Sequence, residues 1–122
     1  MDLIMPQVFD RIKAASGELV RCRRYDIGPW DMDADGTIEV AWDWPDLSKI
    51  VSIEVMIKSD DGILMVPLCG LTQYATGSVR GGIGSARQTF IDLFRVTGGS
   101  FDSVNFNDTS INRGYIYVWY ME

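Results

Sequence analysis

The sequence predicts a mainly β domain, a small antiparallel β-sandwich of jelly-roll or lectin-like kind preceded by one short helix. Three observations predict it. After Gly17 the apolar residues change from helical spacing to a period of two. Six or so short runs rich in β-branched and aromatic residues then follow, separated by clusters of Asp, Asn, Gly and Pro. At 122 residues, 47% hydrophobic and 23% charged, the chain is long enough for one domain with its own core. Nothing alternates strand with helix as a parallel α/β sheet would.

The helix is expected over residues 5–16. Met5, Val8, Phe9 and Ile12 fall on one face, Pro6 suits a first turn, and Gly17 suits the position past the end. So short a helix needs a surface to pack on. Residues 1–17 therefore read as an attachment segment and 18–122 as the sandwich. Residues 18–25 make a weak strand. Residues 37–42 alternate cleanly, and Pro45 ends that strand. Residues 49–58 form the best strand, with alternation from Val51 to Ile57. Asp60-Asp61-Gly62 then signals a hairpin, returning over 63–68. The glycine-rich stretch 69–87 reads as a long loop, and 89–97 as a further strand broken by Gly98-Gly99. The last strand is Tyr115–Tyr120, after turns at Asn105, Asn107 and Asp108.

Charge and composition exclude several function classes. A formal net charge of −6 disfavours phosphate backbones, so no nucleic-acid partner is expected. The small basic knot of Arg21, Arg23 and Arg24 reads as a solvated strand face. The sequence has no histidine, which excludes Cys-His catalysis and the common histidine zinc sites, and deprives a serine triad of its usual base. No enzyme is expected. No apolar run approaches the roughly 20 residues that span a bilayer, and Met1 to Pro6 lacks the basic leader of a signal peptide. The product is expected in the cytoplasm where it is made, or in a particle assembled there. Cys22 and Cys69 read as small buried thiols, with a pairing left open.

One local motif points to a metal. Asp31, Asp33 and Asp35, followed by Gly36 and with Ile38 beyond, form the first half of a calcium loop. The second half fails, because Trp42 stands where the bidentate glutamate belongs and a strand follows. A polar turn is the favoured reading, with Ca2+ as the alternative. The glycines of Ser78–Ser85 lack the Lys-Ser/Thr ending of a phosphate loop, so no nucleotide site is expected. Asp60 with Asp61 reads as turn chemistry. Asn107-Asp108-Thr109 matches a glycosylation acceptor and implies an exposed turn.

Four tryptophans and five tyrosines are many for this length. Trp30, Trp42 and Trp44, with Asn105 and Asn107 from the late loops, are the candidates for a sugar-binding platform. The competing reading of the aromatics is core and subunit interface. In the last strand Tyr115, Tyr117 and Trp119 share one face, while Ile116, Val118 and Tyr120 share the other. Both faces are apolar, so a neighbouring subunit is expected to cover one of them. Phe9, Ile12, Tyr115, Tyr117 and Trp119 are the interface candidates.

Residues 49–57 with the Asp-Asp-Gly turn and Val66-Pro67-Leu68 resemble a recurrent module of bacteriophage tail and fibre proteins. So does the end, Phe94–Asp102 followed by Asn112-Arg113-Gly114-Tyr115-Ile116-Tyr117-Val118-Trp119-Tyr120. The pattern is also distantly similar to H-type lectins. The resemblance implies a non-enzymatic virion-surface protein: a fibre, a receptor-binding tip or a capsid decoration protein. It further implies a homotrimer, joined to other virion proteins through its N-terminal segment and in contact with a cell-surface glycan. It also gives Arg113 a structural role, bridging to Asp102 or Asp108. The alternative is a free-standing lectin-like module that binds carbohydrate or calcium.

Overall fold

A computed structural model describes residues 19–68 and 80–122. The expected helix, with Phe9 and Ile12, lies outside the described residues, as does Cys69. The chain is mainly β: β1 (Val20–Asp26), β2 (Thr37–Ala41), β3 (Ile50–Lys58), β4 (Met65–Pro67), β5 (Gly81–Ala86), β6 (Phe90–Arg95) and β7 (Gly114–Met121). They form two antiparallel sheets, ordered β1-β7-β3-β4 and β2-β6-β5.

The period-two pattern decides which face of each strand is covered. On β7, Ile116 and Val118 are fully buried, and they sit opposite Val55 and Ile53 of β3. Val40, Ile91 and Leu93 of the second sheet belong to the same hydrophobic cluster. The outward residues of β7, Tyr115, Tyr117 and Trp119, are half-buried.

Two expectations are corrected. The glycine-rich stretch is not all loop, since Gly81–Ala86 is strand β5, paired with β6. Its glycines permit close approach. A Cβ at Gly81 would collide with the Phe94 carbonyl oxygen, and one at Gly82 would lie 3.5 Å from the Phe94 ring. The Asp-Gly turn is also wider than a two-residue hairpin. Lys58 pairs with Met65, so residues 59–64 make the connection, and only 65–67 return as strand.

The four-stranded sheet has two unlike ends. At one, β1 begins and β7 finishes: the Glu122 amide donates to the Leu19 carbonyl, and Arg21 pairs with Glu122 at 3.0 Å. At the other, β1 finishes, β7 begins and the β3–β4 connection turns. The eight residues of β7 put these ends about 25 Å apart.

Gly114 starts β7 where two strands nearly touch. A Cβ there would collide with the Met56 carbonyl oxygen of β3, a backbone atom that cannot swing away. Gly114→Ala is expected to cost about 1–3 kcal/mol in urea unfolding. A variant of unchanged midpoint would mean that the β3–β7 pair yields at this point.

Candidate functional site

The loops at the turning end of the sheet hold a second share of the core. Trp30, Met32, Phe101 and Phe106 come from connections, yet none is more than 6% exposed. Phe101 meets Phe106 edge-on at 5.1 Å. Connections normally lie on the surface, and these fold inward because Arg113 satisfies their backbone.

Arg113 is fully buried. Its Nε donates to the Trp30 carbonyl at 3.0 Å and Nη1 to the Lys58 carbonyl at 2.8 Å. Its Nη2 donates to Asp60 Oδ1 at 2.8 Å and to the Asp108 carbonyl at 3.0 Å. One planar cation thus ties the β1–β2 connection and the β3–β4 turn to its own loop, which a lysine ammonium has neither the reach nor the geometry to do. The expected bridge to Asp102 or Asp108 is corrected: the carboxylate is that of Asp60, and Asp108 contributes its backbone. Asp102 lies 3.7 Å from Arg95 instead.

Asp60 completes the joint. Its carboxylate also accepts the Asn107 and Asp108 amides at 3.2 and 3.1 Å. Burial acts to raise its carboxyl, but the Asp108 amide, the Arg113 guanidinium and the Asn107 amide outweigh it and hold the group below its ordinary value of 3.8. The adjacent turn is pinned as firmly. Ser59 Oγ donates to Asp61 Oδ1 at 2.7 Å and accepts the Leu64 amide at 3.1 Å, while Asp61 also accepts the Ile63 amide at 3.0 Å. These hydrogen bonds from Ser59 and Ile63 lower the Asp61 carboxyl.

This pinned turn presents apolar side chains to solvent. On it Ile63 is 84% exposed and Leu64 52%, and Val104 of the neighbouring Val104–Phe106 turn is 66% exposed. With Asp60, Asp61 and Asn105 they line an open cleft of about 290 Å³. Exposed aliphatic residues on a rigid loop are what a binding surface needs, because little conformational freedom is left to lose on contact. No catalytic constellation was expected from the sequence, and the arrangement offers shape and apolar contact.

The other candidates fall elsewhere. Trp30, Trp42 and Trp44 are 2, 6 and 5% exposed, so none can stack on a sugar as predicted. The Trp30 indole donates to the Asp35 carbonyl, Trp42 donates to the Arg87 carbonyl, and Trp44 packs edge-on against Tyr120 at 4.9 Å. Asn105 and Asn107 are exposed, and Asn105 alone of the five lines the cleft. The three aspartates of the half calcium loop do not converge. Asp31 Oδ1 caps a turn by accepting the Asp33 and Ala34 amides at 3.1 and 3.0 Å. The Met32 and Asp33 carbonyls accept from Arg95. Among the described residues no three His, Cys, Asp or Glu side chains are grouped to hold a metal. Cys22 is exposed on β1, which corrects the expectation of a buried thiol. The arginine knot lies over rings: Arg23 is 4.7 Å from Trp44, and Arg24 is 4.6 Å from Tyr115.

The exposed tip residues Ile63, Leu64 and Val104 were not singled out, since isolated aliphatic residues beside turn signals look like strand ends. A run of four apolar residues, Ile63 to Val66, directly after Asp-Asp-Gly was the available signal.

Two outcomes test the joint. Arg113→Ala should destabilise the chain by about 3–5 kcal/mol in denaturant, because it leaves Asp60 and three carbonyls without their donor. Arg113→Lys should recover only a minor part. Asp60 is held low, so its contribution is complete above the ordinary carboxyl value and disappears as pH falls through the folded value. Asp60→Asn should therefore lower the melting temperature at about pH 7 and narrow the difference between about pH 7 and pH 3. An unchanged acid profile would show that Asp60 is not held by these donors.

No family model matches the chain, and neither a curated protein nor a solved structure matches it.

Proposed function

We propose that this protein is a non-enzymatic structural module of a bacteriophage virion surface, a homotrimeric β-sandwich serving as a fibre, receptor-contacting or capsid-decoration unit. The observation that carries the reading is the polarity of the domain. The chain enters β1 at one end of the four-stranded sheet, and the rigid apolar tip lies at the other, about 25 Å away. A module held to a particle through its N-terminal segment would hold that tip outward. The virion context is supported by the resemblance of the Asn112–Tyr120 ending to phage fibre modules.

A chemistry of packing and contact agrees with what the residues offer. The tip combines aliphatic groups with the Asn105 amide and the Asp61 carboxylate, a mixture suited to a protein or glycan surface. The half-buried aromatic row Tyr115, Tyr117 and Trp119 runs down the central strand and supports association of subunits.

Size-exclusion chromatography with light scattering on the full chain tests the reading. A native mass about three times the 13.7 kDa of one chain is expected. A monomer at all concentrations would remove the trimeric virion module as an account of the aromatic row.

A further inference from the structure

We propose that three copies of this chain meet through the outer face of the β1-β7-β3-β4 sheet, around an axis parallel to β7, with Arg24 of each copy against Glu54 of the next. The inference rests on the trimeric reading above and names the surface, the axis and the contact that would build it.

The argument comes from register. Arg24 and Glu54 both pair with Tyr117, on opposite sides of it. The inward positions of β7 are Ile116 and Val118, so Tyr117, Arg24 and Glu54 all belong to the outer face. Strands lie about 4.8 Å apart, so the two charges flank the tyrosine with about 10 Å between them. Both are exposed, and neither has an ion pair with another described residue. The Arg24 guanidinium leans over the Tyr115 ring at 4.6 Å and must swing back by one level to reach Glu54 of a neighbour. One level up, Asp26 and Met56 flank Tyr115, and Lys58 follows Met56 on the same face. One level down, Cys22 and Ser52 flank Trp119. Along the strand direction the β1 side therefore reads positive then negative, and the β3 side reads negative then positive.

That pattern selects an axis. Rotation about a line parallel to β7 keeps every residue at its own level and sets the β1 side of one copy beside the β3 side of the next. Arg24 then meets Glu54, and Asp26 approaches Lys58. A two-fold axis in the face and perpendicular to the strands would set β1 against β1 and Arg24 against Arg24, which like charges oppose. In the three-fold arrangement the Tyr115, Tyr117 and Trp119 rows line the axis in layers. This covers the outward faces of the half-buried Tyr115 and Tyr117. The same axis points all three tips to one end and all three β1 starts to the other.

The test is a charge exchange, read by light scattering and sedimentation of the full chain. Arg24→Glu and Glu54→Arg are each expected to raise the trimer dissociation constant about tenfold or more. The double variant R24E/E54R is expected to return it to within a few-fold of wild type. Both positions are exposed, so circular dichroism should show all variants folded. A wild-type trimer unmoved by either single change, or a double variant no better than the singles, overturns this interface while leaving the trimer in place. A wild-type monomer overturns the interface and the trimeric reading together.

Discussion

The buried guanidinium of Arg113 is the constraint on which the rest of the domain depends. A charge fully removed from water is costly, and here four acceptors from three separate segments offset that cost. Trp30, Lys58, Asp60 and Asp108 must all be in place for it to be satisfied. The β1–β2 connection, the β3–β4 turn and the 96–113 loop are thereby fixed relative to one another and to the first residues of β7. The neighbours agree with this arrangement. Asn112 accepts the Gly28 amide at 2.7 Å and donates to the Gly114 carbonyl at 2.9 Å, while Gly114 admits the β3 backbone. The Asn-Arg-Gly segment is thus a structural joint.

Arg95 does a smaller version of the same work. Nearly buried, it fills the carbonyls of the 31–35 turn and reaches Thr97 and Asp102. Two arginines therefore hold the loop end from within. The outer residues of the turn are left free to be apolar, since none of them is needed to fold it. Stability and contact are assigned to different residues of one loop cluster, which would let the tip vary without loss of the fold.

β3 was legible because it alternates from Val51 to Ile57, as one covered face forces, and β7 because Tyr115 to Tyr120 is an unbroken run of β-branched and aromatic residues. β5 was hidden because its glycines read as breakers, whereas Gly81 is needed where the β6 backbone comes close at Phe94. The partner of Arg113 was hidden for another reason. Asp60 lies 53 positions away and looks like half of a turn signal, so only the three-dimensional register joins them. The tryptophans show what composition cannot decide, since an indole in a loop serves a ligand or a core equally well until its surroundings are known. The half calcium loop was legible as incomplete, because Trp42 occupies the closing position. The hold of Arg95 on the carbonyls of that turn was not, because Arg95 lies 63 positions beyond Met32.

In this account rigidity at one end of the sheet is what makes the domain useful. The apolar tip can act as a contact surface only because the guanidinium beneath it stays closed. Hydrogen–deuterium exchange of the native protein tests that claim most directly, followed at the Asn107 and Asp108 amides bound to Asp60 and at the Lys58 amide bound to the Arg113 carbonyl. The account predicts protection of these loop amides comparable to that of Ile116 and Val118 in the central strand. Exchange at the rate of an open loop, with β7 still protected, would contradict it.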